Sequence, residues 1–107
     1  MIQFDPMSDE FVAYVGNPDF HDGSIVSVEQ SGFVARVRVR GASGKEYAVE
    51  FSGVTCVRAN SPDGMMLYAL SEMRAEPPLR RFSFANWHEE SESLLEIDAE
   101  DFLVSEL

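Results

Sequence analysis

Between residues 33 and 51 the side chains switch between apolar and polar at almost every step, and this rhythm limits the fold more than any other feature. Phe33, Ala35, Val37 and Val39 alternate with Val34, Arg36, Arg38 and Arg40. After Gly41-Ala42-Ser43-Gly44, the residues Tyr47, Val49 and Phe51 resume the apolar series against Glu46, Ala48 and Glu50. Successive strand residues point to opposite faces, so the pattern demands a sheet with one covered and one wet side. A helix would scatter the same residues around its circumference. The glycine-rich break reads as the turn of an antiparallel hairpin.

Register follows from the same rows. Both apolar sets must share a face, because a one-residue slip inverts a strand. Two pairings satisfy this. One sets Arg40 opposite Glu46, Arg38 opposite Ala48 and Arg36 opposite Glu50; the other sets Arg38 opposite Glu46. In both the arginines meet carboxylates, each such pair contributing about 0.2–1 kcal/mol. The arginine row therefore reads as cross-strand pairing rather than as a comb for a ligand.

The rest of the chain extends this plan. Ser8-Asp9-Glu10 supplies an N-cap and acidic first turn for a short amphipathic helix carrying Phe11, Val12 and Val15, stopped by Gly16-Asn17-Pro18. Val26 and Val28 alternate with Ser27 and Glu29 up to a Ser31-Gly32 turn, and Val54–Arg58 reads as a further strand. Residues 65–74 have helical propensity, yet the Glu76-Pro77-Pro78 turn leads into the strand Leu79–Ala85, with Phe82 and Phe84 on one face. A hairpin between these two segments closes at low cost, which favours strand for 65–74. Asn86–Ser93 reads as an acidic loop, Leu94–Ile97 as a strand, and Phe102, Leu103 and Val104 as a last edge. The expected fold is mainly β: an antiparallel sheet or meander, arranged as a sandwich or half-barrel, with one short N-terminal helix. At 107 residues without a repeat or linker, residues 1–107 form a single domain.

Charge narrows the function classes. The net charge is −11 and unevenly spread. Residues 1–35 hold six acids and no Lys or Arg, residues 36–85 hold eight bases and five acids, and residues 86–107 hold eight acids and no base. Nucleic-acid binding needs a basic footprint, so this field disfavours DNA and RNA. It suits solubility or a basic protein partner. The single cysteine, Cys56, forms no internal disulfide and builds no thiolate metal site by itself. Beside Val54 and Val57 it reads as a small buried hydrophobe rather than a nucleophile. No basic segment followed by an apolar run opens the chain, and no apolar stretch nears the roughly 20 residues of a spanning helix. The expected setting is the cytoplasm, without membrane partner or cofactor.

Two clusters are candidate sites. His21-Asp22-Gly23 precedes the first β run. Imidazole titrates near neutrality, and an adjacent carboxylate could orient it or share a metal, so the pair suits a general base or a metal ligand. The same tripeptide also suits a tight turn in which Asp22 bonds backbone and Gly23 supplies an unusual φ, and this structural reading carries more weight. Trp87-His88-Glu89-Glu90 is the second cluster. With His21 and Asp22 it could in principle supply a two-histidine, one-carboxylate set, but an exposed acidic loop with Trp87 folded onto the sheet carries more weight.

The run Phe20-His21-Asp22-Gly23-Ser24-Ile25-Val26, with Phe51-Ser52-Gly53-Val54 later, resembles a group of small, mostly uncharacterised bacterial proteins with an N-terminal HDG or HDA turn followed by a β-meander. The likeness spans most of residues 20–104. It implies an all-β fold, marks His21, Asp22 and Gly23 as the matching positions, and implies no catalytic role for them. Some of these proteins are described as immunity proteins that neutralise a toxin by binding it.

Three functions follow as expectations. The first is a non-enzymatic interaction module whose acidic surface meets a basic protein, of which an immunity-type role is one instance. The second is a small metal-dependent or acid–base enzyme centred on His21 and Asp22. The third is a self-associating structural domain, a homo-oligomer formed by β-edge pairing.

Overall fold

The computed structural model describes residues 11–88 and 90–107. Two antiparallel sheets share one core. The first contains β1 (Phe11–Tyr14), β5 (Cys56–Asn60), β6 (Leu67–Met73), β7 (Arg80–Asn86) and β8 (Leu94–Ala99), in the order β1-β6-β7-β8-β5. The second contains β2 (Ser24–Ser31), β3 (Val34–Arg40), β4 (Glu46–Ser52) and β9 (Asp101–Glu106), in the order β2-β3-β4-β9. One turn of 3-10 helix, Pro18–Phe20, is the only helical element among the described residues. None of their helices is long and apolar enough to cross a membrane.

The alternating rows build the core. Ala35, Val37, Val39, Val49 and Phe51 are fully buried, and Phe51 meets Phe82 and Phe84 of the facing sheet at ring separations of 5.2 and 6.0 Å. The first of the two expected registers is the one adopted: Arg40 faces Glu46, Arg38 faces Ala48 and Arg36 faces Glu50. Glu46 pairs with both Arg38 and Arg40, and their hydrogen bonds, Arg40's first, hold its carboxyl below the usual range. Residues 67–73 are strand and form the expected hairpin with β7, and β9 is an edge strand.

Three expectations are corrected. Among the described residues no N-terminal helix covers the sheet: Phe11–Tyr14 is the edge strand β1, paired with β6, and Val15 N–H donates to Leu70 C=O at 3.0 Å. Aromatic and β-branched residues suit a strand, and a helix this short is marginal without extensive packing. Its expected cap, Ser8, lies outside the described residues. Phe33 is not on the apolar face, because the turn is Gly32-Phe33 and leaves the ring 76% exposed. In β2 a register irregularity at Val26 puts Ile25 and Val28, rather than Val26 and Val28, against the core.

Candidate functional site

The segment from Asn17 to Gly23 joins the two sheets. Phe20 is fully buried, and Asp22 N–H donates to Leu67 C=O at 3.0 Å. Leu67 N–H donates to Gly23 C=O at 2.8 Å, and Ile25 N–H to Met65 C=O at 3.0 Å. Asp22 adopts a left-handed φ of 66°, which Asp tolerates better than most residues. Gly23 is required by close approach: a Cβ there would lie 2.6 Å from the carbonyl oxygen of Arg40. The expected tight turn is present, but the unusual φ is that of Asp22 rather than Gly23, and Asp22 bonds through its own backbone N–H.

Asp19, which sequence reasoning overlooked, locks the same segment to the β3–β4 turn. Its carboxylate accepts from Ser43 N–H (3.1 Å), Ser43 Oγ (2.6 Å) and the Tyr47 hydroxyl (2.9 Å). The Ser43 hydroxyl is the main cause that holds this carboxyl below its ordinary range.

His21 faces outward from this anchored turn, onto a group of aromatic side chains. Its ring meets those of Tyr68 and Trp87 edge to face, each at 5.2 Å. Tyr68 and Trp87 stack at 5.6 Å and 24°, and Tyr14 lies 6.2 Å from Tyr68. Phe11 packs against Tyr14 at 4.8 Å. Tyr14 is 60% exposed, Tyr68 41% and Trp87 44%. The Tyr14 hydroxyl is pushed above the usual phenol range, first by partial desolvation and then by Tyr68. His21 Nδ1 lies 3.0 Å from the Tyr68 carbonyl oxygen. A carbonyl only accepts, so Nδ1 carries the hydrogen and Nε2 points towards Asp22 Oδ2, 3.9 Å away.

Beside this platform runs a shallow groove of about 360 Å³, lined by Ser24, Asp63, Met66, Asn86, His88 and Ser93 among others. Trp87 N–H donates to Met66 C=O at 2.9 Å, which joins platform and groove. His88 N–H donates to Asn86 Oδ1 at 2.8 Å. The structure therefore brings His21, Asp22 and Trp87 together and places His88 in the adjoining groove; Glu89 lies outside the described residues. Among the described residues, no three or more His, Cys, Asp or Glu side chains are arranged to hold a metal ion.

Tyr14, Tyr68, Met66 and Asp63 belong to this surface but were not candidates from sequence. Tyr14 fell within the expected helix, and Tyr68 within a stretch of uncertain period. Comparison with known protein families, curated proteins and solved structures finds no match.

Proposed function

We propose that this chain is a non-enzymatic protein-binding module whose interface is the platform of Tyr14, His21, Tyr68 and Trp87, and whose partner presents a basic surface. One observation carries the reading: large aromatic rings pack on one another yet remain about half in water, on a part of the sheet hydrogen-bonded to the turn beside it. Tyr and Trp give interfaces much contact area at low entropic cost and dominate their binding energy. Contiguous exposed apolar surface of this kind marks interaction sites.

Charge supports the choice of partner. Arg38, Arg40, Arg58, Arg80 and Arg81 are in ion pairs with Glu46, Glu72, Glu96, Asp98 and Asp101. These basic groups are offset within the protein, and the net −11 is left to other carboxylates. The residues lining the groove include Asp63 and neither Lys nor Arg. Toxin neutralisation by direct binding is one instance of this function.

The test is affinity capture from the native source at low and high salt, with wild type beside a Tyr68→Ala/Trp87→Ala protein whose fold is checked by circular dichroism. A partner held by wild type at low salt should be lost in the variant and weakened by salt. Equal capture by both proteins, or no partner under either condition, would refute the reading.

A further inference from the structure

Resting on that reading, we infer that the platform recognises an arginine side chain of the partner, its guanidinium laid against the Tyr68–Trp87 rings and its N–H groups directed to Asp22 and His21. Three features of the site converge on this chemistry.

The first is the ring pair. Aromatic faces carry negative quadrupole charge, and a guanidinium both stacks on them and is attracted to them. Tyr68 and Trp87 lie within 24° of parallel, so the stack presents ring faces of one orientation, and both rings are partly exposed.

The second is a pair of facing acceptors at the platform edge. Because Nδ1 of His21 donates to the Tyr68 carbonyl, the unprotonated form of the ring presents Nε2 as an acceptor towards Asp22, whose carboxylate also only accepts. The two atoms are 3.9 Å apart, and their side chains are 50% and 56% exposed. Two acceptors at that separation can be bridged by a donor group set to one side of the line that joins them. A guanidinium supplies several N–H groups in a fixed fork together with a positive charge, which the Asp22 carboxylate favours over a neutral ligand. The backbone holds this arrangement, since Asp22 is fixed by its bond to Leu67 and Gly23 by its fit against Arg40.

The third is the adjoining groove. It is lined by Asn86 and His88, which flank Trp87, and by Met66 and Asp63, giving the segment around the arginine a place to lie beside a further carboxylate.

The chain contains a single tryptophan, so Trp87 fluorescence reports on the site itself. The probes are a short arginine-containing peptide and the same peptide with citrulline or lysine in place of arginine. The arginine peptide should change the emission saturably, and citrulline should weaken binding about tenfold. Lysine, a point charge without the planar fork, should fall between them. Asp22→Asn should weaken the arginine peptide several-fold while retaining the fold, because Asn also tolerates the left-handed φ; Asp63→Asn is the second variant if it does not. Citrulline binding as tightly as arginine would overturn the inference, as would an Asp22→Asn protein that binds unchanged. If arginine and citrulline peptides bind equally and Tyr68→Ala abolishes both, the arginine preference falls while the binding module stands. If no peptide moves the emission, the arginine preference falls and the module is decided by its own capture experiment.

Discussion

Replacing Asp98 by Asn removes one charge from the outer face of the five-stranded sheet without changing side-chain size, so no cavity confuses the result. The Asp98 side chain is 9% exposed and accepts from Arg81 Nε at 2.9 Å and Arg58 Nη2 at 3.1 Å. Hydrogen bonds to charged groups contribute about 1.5–3 kcal/mol, and breaking a fully buried pair costs about 3–5 kcal/mol. The loss here should fall towards the lower values. Arg58 and Arg81 remain 40% and 31% exposed and can be rehydrated, and Arg58 keeps Glu96 at 2.8 Å. An expected cost of about 2 kcal/mol corresponds to a fall in Tm of about 10 °C in a domain of this size. Thermal and urea unfolding by circular dichroism at neutral pH measure it. Acid titration adds a second check. Burial alone would raise the Asp98 carboxyl, but the Arg81 and Arg58 hydrogen bonds outweigh it and hold it below the usual range. A depressed folded-state pKa stabilises the protein above the unfolded value of about 4, and that contribution is lost as pH falls through the folded value. The gap between wild type and variant should therefore be full at neutral pH and close in acid. A difference below about 0.5 kcal/mol at neutral pH, or one that persists unchanged near pH 2, would refute the reasoning.

Phe51→Ala should cost about 3–5 kcal/mol in urea unfolding, because the fully buried ring joins β4 to Phe82 and Phe84 of the other sheet. A loss below about 1 kcal/mol would mean that the sheets do not meet there. Gly41→Ala should lower Tm, since the new Cβ would collide with the Asp19 carboxylate that holds Ser43 and Tyr47; an unchanged Tm would count against that clamp. Phe33→Ser should stay within about 0.5 kcal/mol of wild type, as expected for an exposed turn residue, whereas a large loss would return Phe33 to the core.

Much of the fold was legible because the central hairpin needs nothing beyond alternation. Val37, Val39, Val49 and Phe51 fall on one face whatever surrounds them, and matching that face to the Arg–Glu row limits the register. Legibility ended where the ladder carries an extra residue. In β6 strict alternation would put Tyr68 on the same face as Leu70 and opposite Leu67. Leu67 and Leu70 are instead both buried, because the register shifts between Leu67 and Ala69 and leaves Tyr68 out in solvent. The same device at Val26 displaces the expected apolar set of β2. A bulge is selected by the partner strand and the core behind it, and neither is written in the local sequence. Edge pairing likewise decided β1, whose few residues carry no strong period of their own.

The His21-Asp22-Gly23 turn shows how a structural and a functional role can share three residues. Gly23 and the Asp22 backbone close the seam between sheets, which accounts for the tripeptide without any ligand. The His21 ring adds one bond to that closure, from Nδ1 to the Tyr68 carbonyl, and lies beside Tyr68 and Trp87, while the Asp22 carboxylate stays outward. The platform is also set apart from the ion pairs that stabilise the same sheet face. Reading across the strands, Tyr14 faces Ser71, Ser71 faces Ser83, Ser83 faces Glu96 and Glu96 faces Arg58. The two serines in this row thus separate Tyr14 on β1 from the Glu96–Arg58 pair on β8 and β5. Partly exposed rings contribute less to stability than buried ones, so truncating Tyr68 or Trp87 should alter binding far more than folding. Asp98→Asn should do the reverse, and it is this division across one sheet that allows the binding surface to be tested without unfolding the protein beneath it.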